Sequence, residues 1–167
     1  VKLPACTTVG DHAFGECTSL ESANLPACKT VEYNAFRECT SLASASLPAC
    51  TTVGDYAFYN CTSLESAELP VCTTVGAHTF YLCTSLASVI LSDNIETIPY
   101  GCFVGCEALA TVTTESNSEK GEEGVPGVYL ENVTTVGAGT FFNCTSLASA
   151  ELPKCTTVGE YAFQQCA

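Results

Sequence analysis

The sequence has few basic residues and little charge of either sign. It contains 5 Lys plus Arg against 18 Asp plus Glu, only 14% of its residues are charged, and its formal net charge is −13 at pH 7. Nucleic acids bind through cations that displace phosphate counterions, and anionic membrane surfaces attract basic segments. The composition therefore excludes a nucleic-acid-binding protein and disfavours attachment to an anionic membrane surface.

The sequence also lacks a long apolar run. Hydrophobic residues make up 47% of the chain, yet no stretch approaches the roughly 18 apolar residues that a membrane span needs. Hydrophobic positions recur at regular intervals instead, which predicts a core along the whole molecule and no membrane insertion in this segment. Met and Trp are absent, and no basic and apolar leader stands at the start. Because the chain opens within one motif and closes within another, we expect it to be a piece of a longer protein.

Patterns that carry catalysis or bind metals are missing as well. The sequence has no glycine-rich phosphate loop, no nucleophile elbow and no His beside a Ser or Cys in a catalytic motif. Its two histidines, His12 and His78, occupy the same repeat position three repeats apart, and no C-x-x-C pair occurs. The sequence therefore predicts a non-enzymatic protein without catalytic residues, a metal or a cofactor.

A repeat of 22 residues dominates the sequence. Phe36 and Cys39 recur as Phe58 and Cys61, and seven copies of Phe-x-x-Cys are present in all. The consensus is Leu-x-x-Ala-x-Leu-Pro-x-Cys-x-x-Val-x-x-x-Ala-Phe-x-x-Cys-Thr-Ser. A period this short closes one coil of a solenoid, whose neighbouring strands lie about 4.8 Å apart in a parallel ladder. Each coil then buries its Leu, Val and Phe only against the next coil, so faithful repetition keeps the core continuous.

The first part of each repeat carries the strand signature L-x-x-L-x-L-x-x-N/C, as in Leu64 to Cys72. We expect its last position to turn the corner after the strand, with Asn94 as the corner residue in one copy. The second part, such as Val53 to Phe58, is too short for a long helix. We expect a tight turn there, followed by one helical or 3₁₀ turn with Asp55 as its N-cap.

The string from Val53 to Leu64, Val-Gly-Asp-Tyr-Ala-Phe-Tyr-Asn-Cys-Thr-Ser-Leu, resembles the BspA-like leucine-rich repeats of bacterial and protozoan surface proteins. The resemblance covers nearly the whole chain. It implies a β-solenoid, a right-handed superhelix of about seven coils of 22–23 residues, with a parallel strand ladder on the concave face and short turns on the convex face. It also implies a cell-surface or secreted location. We therefore expect residues 1–167 to form a single array.

Twelve of the 13 cysteines fall into two sets, one at the corner after a strand and one shortly before the next strand, and Cys102 belongs to neither. Within a coil the two sets lie at opposite ends of the strand, and along each ladder the Cβ atoms are spaced wider than the roughly 3.8 Å of a disulfide. Buried structural thiols are the favoured interpretation. A metal site and a few disulfides are the alternatives.

The repeat is interrupted between Phe103 and Phe141, which are 38 positions apart and not 22. The segment from Glu115 to Gly124 is polar, acidic and rich in glycine, which is typical of a loop. We expect a loop or β-hairpin inserted around 115–124. It is either an idle surface insertion or a segment that contacts a partner.

Outward positions of the strand ladder are small and mildly acidic, with Ile90 and Tyr129 as the sizeable apolar members. The candidate binding residues are Glu21, Asn24, Glu65, Glu68, Ile90, Tyr129 and Glu151. Concave solenoid faces commonly bind proteins, so we expect an interaction or adhesion module for a protein ligand, such as a matrix or cell-surface protein of a host. The alternative is a structural spacer that projects another domain. The uncapped terminal coils also predict either end-to-end self-association or continuation in a longer array.

Overall fold

The computed structural model describes residues 1–117 and 126–167, which form short strands joined by turns. The motif Leu-x-x-Ala-x-Leu places a residue inward at every second position, so each coil extends its backbone over only a few residues. The strands are β1 (Thr8–Val9), β2 (Ser22–Asn24), β3 (Thr30–Val31), β4 (Ser44–Ser46), β5 (Thr52–Val53), β6 (Ser66–Glu68), β7 (Thr74–Val75), β8 (Ser88–Leu91), β9 (Thr97–Ile98), β10 (Thr111–Thr114), β11 (Gly127–Tyr129), β12 (Thr135–Val136), β13 (Ala150–Glu151) and β14 (Thr157–Val158). A 3₁₀ helix spans Glu115–Asn117.

One parallel sheet of seven strands runs along the molecule in the order β13-β11-β10-β8-β6-β4-β2. Its register follows the repeat, so Ala23 pairs with Ala45 and Ala45 with Ala67. We call its outward surface the strand face. Two smaller parallel sheets, β1-β3-β5-β7 and β14-β12-β9, lie after the corner of each coil. The predicted β-solenoid with one strand ladder and almost no helix is confirmed. The expected count of about seven coils is slightly high, because seven strands in the two smaller sheets are joined by six full turns.

The core is a set of columns in which equivalent residues of successive coils lie one above another. Phe residues form the largest column, and each ring stacks on the next with centroids 5.1 to 5.5 Å apart and planes within 15° of parallel. The stacked rings are Phe14, Phe36, Phe58, Phe80, Phe103, Phe141 and Phe163. Leucine and valine columns are buried beside them. Since stacked aromatic pairs contribute about 0.5–1.5 kcal/mol beyond their buried area, this column stabilises every junction between coils.

The segment before each Phe-x-x-Cys forms overlapping turns and no helix. In one coil, Ala57 N–H donates to the Gly54 carbonyl and Tyr59 N–H to the Tyr56 carbonyl. Tyr56 has a positive φ of 56°, which closes the turn. The prediction that Asp55 caps a helical turn is wrong. Its Oδ1 instead accepts a hydrogen bond of 2.7 Å from the Ala77 N–H of the next coil. We call the surface built from residues 10–17, 32–39, 54–61, 76–83, 99–106, 137–144 and 159–166 the turn face.

Eleven of the cysteines form two ladders of thiol donors. Corner cysteines donate to the carbonyl two residues on, as Cys50 Sγ does to Thr52 O at 3.3 Å. The second set links neighbouring coils, as Cys61 Sγ donates to the Phe36 carbonyl of the preceding coil at 3.1 Å. All 13 are free thiols in the structure, nine of them buried. The buried members of both sets therefore have a packing and a hydrogen-bonding reason to be cysteine.

Asn94 does not occupy the corner position that the sequence predicts for it. Its side chain is exposed, and its N–H donates to Ser92 Oγ at 3.1 Å. Ile95, which is 2% exposed, fills the buried place two residues before the next strand, as Cys72 does before β7. This coil has one extra residue, which moves Asn94 out of the column.

An additional strand, β10, explains the interruption of the repeat. On the strand face β10 lies between β8 and β11 and pairs with both in parallel. In the smaller sheet, however, β12 pairs directly with β9, with Val136 opposite Ile98. β10 and β11 are therefore not the two arms of a hairpin. Of the insertion expected around 115–124, the described part is the 3₁₀ helix, and residues 118–124 lie outside the described residues.

Candidate interaction surfaces

The strand face presents two outward columns of side chains. One is mostly serine and runs through the first residue of successive strands, where Ser22 pairs with Ser44 and Ser44 with Ser66. The other is more varied. It contains Asn24, Ser46, Glu68, Ile90, Thr113, Tyr129 and Glu151. Because the side chains of the first column are small, the second column offers most of the side-chain surface of the strand face.

The seven predicted binding residues divide between that second column and the starts of two strands. Glu21 and Glu65 are exposed and precede β2 and β6 directly. The other five share one column of the strand face, in the order Asn24, Glu68, Ile90, Tyr129 and Glu151. The register thus brings the predicted residues onto one surface.

Tyr129 is the predicted binding residue whose side chain is buried. Its side chain is only 5% exposed, and Thr113 beside it in the column is 3% exposed. The ring lies across Gly127, where an added Cβ would come within 2.9 Å of Tyr129 Cζ, and the hydroxyl is 3.4 Å from Ser149 Oγ. The outward positions of β10 and β11 in this column are therefore buried, while the part from β2 to β8 is open.

Sequence reasoning missed a second surface, an aromatic ridge on the turn face. Tyr56 stacks on His78 with ring centroids 4.8 Å apart, and Tyr59 stacks on Tyr81 at 5.2 Å. Tyr100 packs edge-on against His78 at 4.8 Å. Each ring stands at a repeat position outside the buried Phe column. That placement was readable in the sequence as large aromatics at turn positions.

The ridge ends in a shallow groove of about 550 Å³, which we call the turn groove. Two tyrosines stand exposed on it, Tyr100 at 57% and Tyr161 at 66%. Its walls include His78, Tyr81, Val104, Phe142, Glu160 and Gln164. Tyrosine is one of the residue types enriched at protein interfaces, and of these two rings Tyr100 is held by its contact with His78.

The charge around the turn groove is negative. The seven segments of the turn face, all of them described, contain six acidic residues and one basic residue, Arg37. Arg37 is itself paired with Glu38, Nη2 to Oε1 at 2.9 Å. In the groove wall, burial lowers the pKa of His78, so its ring is neutral at pH 7. The one ionised side chain among the described lining residues is Glu160.

No described group of three or more His, Cys, Asp or Glu side chains is arranged to hold a metal ion. Among the same residues, no helix has the length and apolar character needed to cross a membrane.

Comparison with known proteins gives one family and several solved structures. The chain matches the family described as BspA type leucine rich repeat region, in six copies over residues 7–124 and 128–167. No curated protein matches it.

Three solved bacterial structures illustrate the shared fold. The leucine-rich repeat protein TpLRR of T. pallidum has 25% identity and a TM-score of 0.60, over 89% of this chain and 77% of that one. A leucine-rich cell surface protein of Faecalibacterium prausnitzii has 21% identity and a TM-score of 0.68, over 93% of this chain and 47% of that one. A leucine-rich repeat protein of Eubacterium ventriosum has 20% identity and a TM-score of 0.72, over 96% of this chain and 46% of that one. The chain spans about half the length of the last two.

Proposed function

The chain belongs to the BspA-type leucine-rich repeat family, and on that premise we propose that it is a non-enzymatic module that binds other proteins. The observation that carries the proposal is the turn groove, where Tyr100 and Tyr161 stand exposed on a rigid frame. Tyrosine supplies a large contact area with little loss of side-chain entropy. Such rings are frequent among the residues that dominate binding energy.

The rigidity of the frame supports this proposal. Tyr100 packs against His78 and Tyr81 against Tyr59, so both rings are positioned before a ligand arrives. Preorganised side chains reduce the entropy that binding costs. The groove is thus suited to recognise a partner without rearrangement.

A cell-surface or secreted location, with adhesion to a host matrix or cell-surface protein, is the finer part of the proposal. It is supported by the family, and one solved relative is described as a cell surface protein.

The strand face remains a second proposed surface. Its open part carries the predicted residues Asn24, Glu68 and Ile90 in one column, with Glu21 and Glu65 at its side. A ligand there would meet carboxylates and serine hydroxyls on a smooth sheet. Glu151 lies at the far end, beside the covered Tyr129.

A structural spacer is the competing function. The Phe stack passes through every coil, which suits a rigid rod that projects another domain.

End-to-end self-association also stays a prediction. Leu3 and Val158, at opposite ends of the stack, are 38% and 56% exposed. Sedimentation of Leu3→Glu beside the unaltered chain tests it, because a charge there should abolish concentration-dependent association.

A capture experiment with three variants tests the proposed function. Purified matrix and cell-surface proteins are passed over the immobilised chain, the double variant Tyr100→Ala/Tyr161→Ala, and the double variant Glu68→Lys/Ile90→Lys. Tyr33→Ala is the matched control, because Tyr33 is an exposed tyrosine of the same face outside the groove. We expect loss of capture in the groove variant alone. Loss in the strand-face variant alone moves the site to the strand face, and no capture by the unaltered chain favours the spacer.

A further inference from the structure

We propose that the turn groove binds a cationic segment of a partner protein, with an arginine side chain stacked on its exposed tyrosines. This inference rests on the proposed function and names the chemistry of the partner.

Charge complementarity favours a cation. The chain carries a formal charge of −13, and Glu160 supplies a carboxylate in the groove wall itself. Asp55 lies near enough to His78 at the other end of the groove to interact with it electrostatically. A surface of one sign attracts ligands of the opposite sign and raises their association rate. Anionic partners are repelled by the same field.

The turn face already holds one arginine in the proposed manner. The Arg37 Cζ lies 4.9 Å from the centroid of the Tyr59 ring, while its Nε and Nη2 donate to Glu38 Oε1 at 3.0 and 2.9 Å. A tyrosine face and a carboxylate thus bind one guanidinium between them. Since Tyr59 stacks on Tyr81, this contact adjoins the groove along the same ridge.

The turn groove offers the same two groups with no arginine of this chain in it. Its described lining contains Tyr81, Tyr100 and Tyr161 for stacking and Glu160 for charge. A guanidinium over a tyrosine face gains about 0.5–1 kcal/mol at exposed sites and about 2 when desolvated. Arginine is favoured over lysine, because its planar group stacks and donates in a fork.

The length of the groove fits a peptide segment better than a small cation. From His78 to Tyr161 it crosses three coil spacings of about 4.8 Å each, and an extended chain rises about 3.3 Å per residue. The groove therefore accommodates roughly four extended residues. Val104 and Phe142 give the intervening part an apolar floor for the aliphatic stems of long basic side chains.

Defined peptides test this chemistry directly. A seven-residue peptide with two arginines among serines and glycines is compared with the same peptide carrying citrulline in place of arginine, which keeps the shape and removes the charge. Binding to the full chain is followed by NMR through the ring resonances of Tyr100 and Tyr161. We expect the arginine peptide to shift these resonances, with an affinity that falls as salt rises.

Variants locate the contact. Tyr100→Ala should weaken binding of the arginine peptide about two- to fivefold. Glu160→Gln should weaken it as well, and Tyr33→Ala should leave its affinity unchanged. Equal binding of the citrulline peptide, no shift with either peptide, or stronger shifts with a neutral oligosaccharide such as maltohexaose would each overturn the inference. If a partner is captured in a Tyr100-dependent way through a segment without basic residues, the proposed function stands and the cationic specificity falls.

Discussion

Phe103 stacks directly on Phe141, with ring centroids 5.3 Å apart and planes 8° from parallel. On the strand face, the additional strand β10 separates the coils to which these two rings belong. The Cys144 thiol crosses the same junction and donates to the Phe103 carbonyl at 3.2 Å. The aromatic column and the thiol ladder are therefore continuous through the interruption, which joins both parts of the array into one core.

Removing a ring from the middle of this column should destabilise the whole array. Phe80→Ala deletes a fully buried ring and its two stacking contacts, for which we expect a loss of about 3–5 kcal/mol in the free energy of unfolding. Phe163→Ala, at the partly buried end of the stack, is the control and should cost less. Chemical denaturation followed by circular dichroism measures both. Two separate transitions in the unaltered chain would show that the column does not couple the two parts.

The thiols should differ sharply in their native reactivity. Cys17 is exposed and three others are partly exposed, whereas nine are buried. Thiolate is the reactive form, and burial both blocks access and disfavours it. With a chromogenic disulfide reagent, we expect Cys17 to react first, the partly exposed thiols next and the buried set only on unfolding. A denatured, unreduced sample that fails to show most of its 13 thiols would mean that disulfides form.

Alkaline pH should unfold the protein steeply. Burial raises the pKa of Cys50 and of Cys83 to about 12, from an ordinary value of 9.0. Because the folded-state pKa is the higher one, the stability is complete below pH 9 and declines as the unfolded thiols ionise above it. Each such thiol costs about 1.4 kcal/mol per pH unit in that range. Cys83→Ala should flatten the dependence of unfolding free energy on pH, and Cys17→Ala, which removes an exposed thiol, is the matched control.

Acid should destabilise the protein through His78. Burial lowers the pKa of this histidine below its ordinary value of 6.5, so between the two values the unfolded chain binds a proton that the folded chain does not. The stability is therefore complete above pH 6.5 and falls as the pH drops toward the folded-state pKa. His78→Gln should lose less stability than the unaltered chain between pH 7 and pH 5 in thermal melts. His12→Gln, at the same repeat position in the exposed first coil, serves as the control, and an equal effect of both would contradict the assignment.

The repeated part of the fold follows from the sequence, because every coil repeats the same local constraints. The columns of Phe36, Val31 and Cys39 were predictable from the 22-residue spacing, since stacking puts equivalent residues together. The role of Asp55 was not predictable in this way, because its carboxylate accepts a hydrogen bond from Ala77 N–H in the next coil and not from its own turn. The N-cap preference of aspartate considers only the segment that contains the residue, so it does not include a partner in the next coil.

The candidate site was predictable in part. The 22-residue period predicts that Asn24, Glu68 and Ile90 share one surface, and the strand register has them in one column. The burial of Tyr129 depends on how its ring lies over Gly127 and against Ser149 of the next coil, and the register does not indicate the direction of a side chain. The groove at Tyr100 and Tyr161 was missed because the repeat pattern constrains the backbone at the turn positions and leaves their outward side chains variable.

The additional strand β10 also has a geometric consequence. Between β8 and β11 the strand face contains two strand spacings, but between β9 and β12 the opposite side contains only one. The arrangement resembles an edge dislocation in a crystal, in which one half-plane of atoms ends inside the lattice. Here β10 corresponds to that half-plane. The coils on its two sides cannot be parallel planes, so they incline and diverge toward the strand face. We therefore expect the array axis to change direction at this junction, where the four residues of β10 add a strand to one side only.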